Sequence, residues 1–373
     1  MRVVLTGGGT GGHIYPAVSI GRQLKREDPD TELLYIGSSA GLESRIVPQL
    51  GIPFETIAIS GFKRKLSMDN VRTVIRFLRA VRRSKALLRG FRPDVVVGTG
   101  GYVCGPVVYA AARLGIPTLI HEQNVDPGMA NVFLSRYTDV IAVSFPESES
   151  RFRRGRRIVH TGNPCATNVL HADKAKGYAS LGIPEGSRIV LVVGGSRGAK
   201  ALNEAVPDIA AAAGRLDGVW LVAVTGEVHY EQTKERLNRL PAEQSRRLRV
   251  VPYLNNMPEV LAASSLIISR AGASMIAEIT ALGVPSILVP SPNVTHNHQE
   301  ANARSLADAG AAVMILEREL TGSKLGGEIA RIMGDESVRR AMSEAAKALA
   351  MPDSAERITA ELRTLAARGK RGK

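Results

Sequence analysis

Cysteine and long apolar runs are scarce in this chain of 373 residues. The two cysteines, Cys104 and Cys165, are too few for a disulfide scaffold or a cysteine-based zinc site, and they fit a reducing compartment. The longest apolar runs, such as Ile189–Val193, are far shorter than the roughly 18 residues that a membrane-spanning helix needs. A strand-like run already begins at Val3, so no signal peptide is predicted and we expect a cytoplasmic protein.

The excess of basic over acidic residues lies in two segments. Overall, 49 Lys and Arg against 35 Asp and Glu give a net charge of +14. Eleven basic residues and one acid lie between Phe62 and Arg92, and the tail from Arg368 to Lys373 adds four basic residues, so these two segments hold the whole excess. A basic surface distributed for general nucleic-acid binding is therefore not predicted.

Apolar, β-rich runs alternate with helical patterns along the chain, which predicts an α/β fold with parallel sheets. The length corresponds to about two domains, and glycine-rich or small-residue turns follow strands in both halves, so we expect two doubly wound domains. We predict a domain of residues 1–162, a domain of residues 163–350 and a C-terminal segment of residues 351–373, with the linker near 162–167. The predicted strands are Val3–Leu5, Glu32–Ile36, Asp94–Val97, Thr118–Ile120, Val140–Val143, Arg188–Val193, Trp220–Val224, Leu248–Val251, Leu266–Ile268 and Ser286–Val289.

The first glycine turn, Gly7–Gly12, matches the dinucleotide pattern GxGxxG between the first strand and a helix predicted to start near Tyr15. A nicotinamide site also needs an acid at the end of the second strand, whereas Glu32–Ile36 has its acid at the beginning, so such a site is not predicted. His13 follows the last glycine. It is either a helix-capping or exposed histidine, or a general base beside a closely approaching backbone.

Two further segments of the first half follow strands. The small residues of Gly98–Pro106 allow a polar substrate to touch the main chain. The segment His121-Glu122-Gln123-Asn124 places four polar side chains in a row at the carboxyl end of a strand. Since such a run is not expected in a core, we predict that it contacts a ligand.

In the second half, Gly194–Gly198 lacks the ending of a P-loop, so nucleotide hydrolysis is not indicated. Its free backbone N–H groups at a helix start still favour phosphate. The segment Ser269–Glu278 repeats this design, and Glu278 is either a surface residue or an acceptor for the two hydroxyls of a nucleotide ribose. A polar loop, Pro290–Glu300, follows the next strand.

Six of these segments occur in the order and spacing of one family: Gly7–His13, Gly100–Pro106, His121–Asn124, Gly194–Ala199, Ala271–Glu278 and Asn297–Gln299. From the first strand to about Asn302 the chain resembles the MurG family of bacterial N-acetylglucosaminyltransferases, within glycosyltransferase family 28. The resemblance implies a GT-B fold, with two Rossmann-like doubly wound domains facing across a cleft. It also implies that a C-terminal helix, expected at residues 355–366, returns to the first domain.

The resemblance implies inverting transfer of GlcNAc from UDP-GlcNAc to the C4 hydroxyl of MurNAc in undecaprenyl-pyrophosphoryl-MurNAc-pentapeptide. This step converts lipid I to lipid II in peptidoglycan synthesis. No cofactor is implied, and because no DxD-type carboxylate pair stands at a strand end, we predict no metal site. Other cell-wall synthesis or division proteins are possible partners.

By the same resemblance, His13 is the catalytic base. The residues implied to bind UDP-GlcNAc are Thr10, Gly11, Gly12, Asn124, Ser196, Leu254, Ala273, Ser274, Met275, Ile276, Ala277, Glu278 and Gln299. Those implied on the acceptor side are Gly100, Gly101, Tyr102, His121 and Glu122. Many relatives carry an Arg just after the Gly-Asn-Pro motif, where this chain has Cys165 and Ala166, so a donor phosphate contact is missing or is supplied by Arg197.

A lipid-linked acceptor also implies peripheral attachment at the cytoplasmic face of the bacterial membrane. On a helical wheel the basic segment groups four arginines on one face and two apolar sets beside it. We expect the first set, Val71, Val74, Ile75 and Leu78, to cover the domain core, and the second, Phe77, Val81 and Leu88 with Phe62 and Leu66, to enter the headgroups. The residues predicted to contact an anionic membrane are Phe62, Arg72, Arg76, Phe77, Arg79, Val81 and Arg83.

The sequence is compatible with two alternative functions. One is another enzyme of the same fold, either a different lipid glycosyltransferase or a UDP-GlcNAc epimerase. The other is a basic RNA-binding protein, which the basic segment supports but for which the sequence has no recognisable RNA module.

Overall fold

The computed structural model describes the backbone of residues 1–59, 68–153, 155–195, 198–294 and 297–371, and their side chains apart from those of residues 68–73 and 370–371. The chain forms two compact units. Unit 1 comprises Met1–Cys165 and Asp353–Lys373, and unit 2 comprises Ala166–Pro352. The first division falls inside the predicted linker, three residues after the boundary drawn from the sequence.

The strands of unit 1 are β1 (Arg2–Thr6), β2 (Glu32–Ser38), β3 (Phe54–Ile57), β4 (Val95–Gly98), β5 (Thr118–Glu122), β6 (Val140–Val143) and β7 (Ile158–His160). Its helices are α1 (Gly11–Glu27), α2 (Glu43–Gln49), α3 (Met68–Phe91), α4 (Cys104–Arg113), α5 (Met129–Leu134) and, from the C-terminus, α16 (Ser354–Arg371). The strands are parallel in the order β3-β2-β1-β4-β5-β6-β7. The strand order reverses between β1 and β4, so the turns that follow these two strands lie at the topological switch point, where ligands bind in such sheets.

Unit 1 buries apolar side chains on both faces of its sheet, as parallel sheets do. One face packs Val96 and Ile120 with residues of α3 and α4. The other packs Val3 and Leu5 with α1 and with buried side chains of the C-terminal helix, such as Leu362. Helix α16 therefore completes the core of unit 1, and it extends five residues beyond the end expected from the sequence.

The strands of unit 2 are β8 (Arg188–Val193), β9 (Val219–Val224), β10 (Leu248–Val251), β11 (Leu266–Ser269), β12 (Ser286–Leu288) and β13 (Ala312–Met314). Helix α6 (Cys165–Val169) starts at the division between the units, and the others are α7 (Lys174–Leu181), α8 (Lys200–Gly214), α9 (Tyr230–Leu237), α10 (Ala242–Ser245), α11 (Met257–Ala263), α12 (Ala273–Leu282), α13 (His298–Asp308), α14 (Gly322–Gly334) and α15 (Glu336–Ala348). The parallel order is β10-β9-β8-β11-β12-β13, so the switch point lies between β8 and β11.

The ten predicted strands are all present, but the sequence analysis missed β3, β7 and β13. Each missed strand has three or four residues and lies at the edge of its sheet. An edge strand is covered on fewer sides, and β3 and β7 lack the continuous apolar run that marks the central strands. Strand β13 lies in such a run, Ala311–Leu316, which was not assigned as a strand. The predicted start of α1 near Tyr15 was also wrong, because the helix begins at Gly11 and includes His13 in its first turn.

The expected burial of α3 is reversed in the structure. Val81 and Leu88 are buried in the core of unit 1, and Phe77 is half-buried against Tyr109 and Phe133. The side chains left exposed belong to the first apolar set: Val74, Ile75 and Leu78. Val81 is thus a core residue rather than a membrane contact, whereas Phe77 is packed on one side only and its membrane contact stays a prediction. None of the described helices has both the length and the hydropathy needed to cross a membrane.

Candidate functional site

The first glycine turn leads directly from β1 into α1. Gly9 has a positive φ of 85°, and Thr10 is the extended residue that precedes the helix. Gly11 and Gly12 begin the helix, and the half-buried His13 lies in its first turn. The N-terminus of α1 and the His13 imidazole are therefore contributed by one short segment at the switch point.

The second turn, after β4, is pressed against the first. The Gly8 N–H donates to the Gly100 carbonyl at 3.3 Å. A Cβ at Gly100 would lie 2.8 Å from His13 Cδ2, and one at Gly101 would collide with the Gly8 carbonyl oxygen. Both glycines also have positive φ angles. The small size of these glycines therefore lets the two turns approach each other. The sequence analysis had explained the same small residues by contact with a substrate.

Hydrogen bonds set the orientation of the His13 ring. Its Nδ1 lies 3.0 Å from the Gly8 carbonyl oxygen and 3.3 Å from the Thr10 hydroxyl. Because a carbonyl oxygen can only accept, Nδ1 carries the hydrogen, and in the neutral ring the lone pair is on Nε2. The Thr99 hydroxyl donates to the His13 carbonyl at 2.6 Å, which ties the start of α1 to the second turn.

A buried carboxylate that the sequence analysis did not select lies beneath the first turn. Glu43, the first residue of α2, is fully buried. Its Oε2 accepts from the Gly9 N–H at 3.0 Å, and its Oε1 accepts from the Ser38 N–H and hydroxyl at 3.1 and 2.6 Å. The only signal in the sequence was one acid shortly after the second strand.

The polar segment at the end of β5 is mostly interior, so the expectation that it does not form core was wrong. His121, Glu122 and Gln123 are buried, and Asn124 is partly exposed. His121 Nε2–H donates to the Gly162 carbonyl at 2.9 Å, and its Nδ1 accepts from Gln123 at 3.0 Å. Burial lowers the pKa of His121 to about 4, which keeps the ring neutral. His121 uses both nitrogens within the protein, so the structure gives it a positioning role.

Glu122 organises the loop after β5. Its carboxylate accepts from the Asn124 backbone N–H at 3.0 Å and side-chain amide at 3.1 Å, and from the Gly128 N–H at 3.0 Å. The Asn131 amide donates to the same carboxylate at 2.8 Å. Of the four polar residues, Asn124 is therefore the one that is partly exposed, and Glu122 holds its backbone and side-chain amides.

In unit 2, Ala273–Glu278 form the first turns of α12, directly after β11. Ala273 and Ile276 are buried and Met275 and Ala277 are partly exposed, while Ser274 has a buried hydroxyl without a hydrogen-bond partner in the described structure. The Glu278 side chain is partly exposed. The surrounding protein removes water from its carboxyl group, and this desolvation raises the pKa of the carboxyl to about 8. A carboxyl group at this position can accept hydrogen bonds from hydroxyl groups.

The loop after β12 is held beside the turn that follows β11. The Arg270 guanidinium donates to the Val289 and Pro290 carbonyls at 3.1 and 3.3 Å and pairs with Glu317. Gln299 Oε1 accepts from the Ser291 N–H at 2.9 Å. Leu254 is buried after β10. Arg270 therefore holds the start of this loop, although the sequence analysis did not select it.

Several predicted site residues fall outside the described part of the chain. Ser196, Arg197 and Phe62 are not described, and neither is the side chain of Arg72. Gly198, with a positive φ of 73°, precedes α8 at Lys200. Among the described residues, no three His, Cys, Asp or Glu side chains cluster in a way that would hold a metal ion.

Comparison with known proteins agrees with this arrangement. The glycosyltransferase family 28 N-terminal domain matches residues 3–143, and the family 28 C-terminal domain matches residues 189–358. The chain is 53% identical, over 96% of its length and 98% of the relative, to a Halalkalibacterium halodurans protein named UDP-N-acetylglucosamine--N-acetylmuramyl-(pentapeptide) pyrophosphoryl-undecaprenol N-acetylglucosamine transferase. This chain belongs to the MurG family of glycosyltransferase family 28.

Solved structures agree with the MurG assignment and the GT-B fold. The crystal structure of Acinetobacter baumannii MurG matches with a TM-score of 0.75 and 30% identity, covering 97% of this chain and 99% of that one. A putative UDP-N-acetylglucosamine 2-epimerase from Listeria monocytogenes matches with a TM-score of 0.73 over 97% of this chain and 96% of that one, at 14% identity. The epimerase shares the fold alone, so the fold does not decide between the two activities.

The contact between the two turns predicts unequal effects of two matched glycine substitutions. Gly101 and Gly115 both have positive φ, but a Cβ at Gly115 would meet nothing within 4 Å. Gly115→Ala should cost only the backbone strain, about 1–2 kcal/mol. Gly101→Ala should cost clearly more, because it also displaces the Gly8 carbonyl. Urea unfolding of both variants measures this difference, and equal losses of stability would show that the turns are not in tight contact.

Proposed function

We propose that this MurG-family chain transfers GlcNAc from UDP-GlcNAc to the MurNAc residue of an undecaprenyl-pyrophosphoryl-MurNAc-pentapeptide. The identity of 53% over nearly the full chain to a relative of that name supports the substrates. The observation in the structure that supports the reaction most is the His13 ring, whose Nδ1–H bond to Gly8 leaves the lone pair on Nε2. A neutral imidazole in that tautomer has the form that a general base needs.

In the proposed reaction, His13 Nε2 takes the proton of the acceptor C4 hydroxyl as that oxygen attacks the anomeric carbon of GlcNAc. The bond from that carbon to the UDP oxygen breaks on the opposite face, so the configuration inverts. The proton moves to His13 and the bonding electrons leave with UDP. Glycine turns, Tyr102 and the Asn124 loop would orient the sugars, and positioning of this kind lowers the entropic part of the barrier.

Unit 2 would hold the nucleotide at its switch point. Helices α8 and α12 both begin there, at Lys200 and Ala273, and their first N–H groups carry partial positive charge that favours the pyrophosphate. The carboxyl of Glu278 would hydrogen-bond the ribose hydroxyls, and Gln299 the GlcNAc. Ser196, Leu254 and residues 273–277 remain proposed donor contacts, as do Thr10–Gly12 and Asn124 of unit 1.

The role of His13 is tested by its removal. His13→Ala should lower kcat by roughly 10²–10⁴-fold, the usual contribution of a positioned general base, while the affinity for UDP-GlcNAc changes little. Transfer of radiolabelled GlcNAc to the lipid-linked acceptor measures kcat, and calorimetry measures donor binding. His160→Ala, in the same unit, serves as a control. Turnover close to that of the wild type would remove His13 from the mechanism.

The role of Glu278 is tested by donor affinity. Glu278→Ala should weaken UDP-GlcNAc binding by about 1–3 kcal/mol, because the two ribose hydroxyls lose their hydrogen bonds to the carboxyl group. Calorimetry with UDP-GlcNAc measures the change, and Glu235→Ala, an exposed residue of the same unit that pairs with Arg239, is the control. If both variants bind the donor as the wild type does, Glu278 does not hold the ribose.

Membrane attachment is supported by an apolar patch on unit 1, here called the α3–α5 patch. Its exposed side chains are Val74, Ile75 and Leu78 on α3 and Met129, Val132 and Phe133 on α5. The two helices meet where the Phe77 and Phe133 rings lie 6.1 Å apart, edge to face. Exposed arginines of the basic segment, Arg76, Arg79 and Arg83, lie on the same helix, and Arg83 is 3.3 Å from Glu55. Apolar insertion and attraction to anionic lipids together would hold the protein reversibly.

The α3–α5 patch predicts a specific pattern of vesicle binding. The wild type should cosediment with anionic vesicles and much less with neutral ones, and high salt should release it. Ile75→Gln with Leu78→Gln should weaken binding at least about tenfold, because two inserted side chains are lost. Val228→Gln changes a more exposed apolar residue of unit 2 and should have no effect. Full binding by the double variant would exclude the patch as the anchor.

A further inference from the structure

We infer that Glu43 is a positioning residue of this site, one that orients both the base His13 and the acceptor-side Tyr102. The inference rests on the proposed function for its catalytic consequence. Its geometric basis is independent of that function. The carboxylate is fully buried and lies between the first glycine turn and the end of β2.

The first link runs through a single peptide group. The N–H of Gly9, which donates to Glu43 Oε2 at 3.0 Å, and the carbonyl of Gly8, which accepts from His13 Nδ1 at 3.0 Å, belong to the same peptide unit. In a trans peptide the N–H and C=O point in opposite directions, so the bond to Glu43 fixes where the carbonyl points. A hydrogen bond to an ionised carboxylate also polarises the peptide and strengthens its carbonyl as an acceptor.

The second link runs through Ser38. Its hydroxyl donates to Glu43 Oε1 at 2.6 Å, so its oxygen accepts from the Tyr102 hydroxyl, 3.4 Å away. The Tyr102 ring also lies beside the first turn, since a Cβ at Gly9 would be 3.3 Å from its Cε1. One carboxylate therefore contacts the partners of two groups that would face the acceptor, and it is itself fully buried.

Glu43→Gln is the variant that separates positioning from packing. The side chain keeps its shape, but the amide nitrogen cannot accept, so either the Gly9 N–H or the Ser38 pair loses its partner. We expect kcat to fall about 10–100-fold, the factor for a lost hydrogen bond to a charged group. The KM for UDP-GlcNAc should stay within about twofold of the wild type, because most of the proposed donor contacts lie in unit 2 and are unchanged.

A double-variant cycle and a spectroscopic measurement test the link to His13. In a His13→Ala background, Glu43→Gln should lower kcat by clearly less than in the wild type, because part of its effect acts through the imidazole. In protein labelled with ¹⁵N-histidine, His13 should show a protonated Nδ1 and an unprotonated Nε2 at pH 8.5, and Glu43→Gln should shift it to a mixture of tautomers. His13→Ala identifies the signal. Glu361→Gln, which breaks an exposed ion pair with Arg157 in the same unit, should change neither readout.

Failure of the proposed function and failure of the Glu43 inference give different experimental results. Absence of GlcNAc transfer by the wild type would contradict the proposed function, while the tautomer measurement would still decide the role of Glu43. A Glu43→Gln protein with an unchanged His13 tautomer overturns the inference. So does a loss of kcat that is equally large in the His13→Ala background, because that result assigns Glu43 to general stability.

Discussion

The site in unit 1 depends on the close approach of two backbone turns, one after β1 and one after β4. These strands are neighbours in the sheet, so their carboxyl ends bring the turns together, and the Gly8 carbonyl occupies the space that a side chain at Gly101 would need. The same carbonyl holds the His13 ring. Because one oxygen both meets the second turn and orients the imidazole, an error in the packing of the turns becomes an error in the position of the His13 ring.

Around this contact, unit 1 buries ionisable side chains of types that are rarely found in a protein core. Glu43, His121 and Glu122 are fully or almost fully buried, and the hydrogen bonds of each are made with backbone or neutral side-chain groups. Burying such groups is costly unless their hydrogen bonds are satisfied, and satisfied networks rigidify the groups that they connect. The arrangement therefore favours a preformed site in unit 1, in which the acceptor hydroxyl would meet an imidazole already in the required tautomer.

Much of the fold was predictable, because central parallel strands are apolar on both faces and leave continuous runs in the sequence. The edge strands β3 and β7 leave no such run, and the run Ala311–Leu316 that contains β13 was not recognised as a strand. The periodicity of α3 revealed two apolar faces but could not say which one packs, because that depends on α4 and α5 meeting Phe77 and Val81. In the site, glycine spacing marked both turns and His13. Glu43 and Arg270 were missed, since their roles arise from contacts with backbone groups that only the folded chain brings near them.

The central claim is that the chain attaches GlcNAc to a lipid-linked MurNAc with inversion. Its most direct test is to incubate the purified protein with UDP-α-GlcNAc and undecaprenyl-pyrophosphoryl-MurNAc-pentapeptide and to determine the linkage of the product by NMR. The account predicts a disaccharide with a β linkage to the C4 oxygen of MurNAc, together with one UDP per linkage formed. An α linkage, or conversion of UDP-GlcNAc to its 2-epimer without glycosylation of the acceptor, would contradict it.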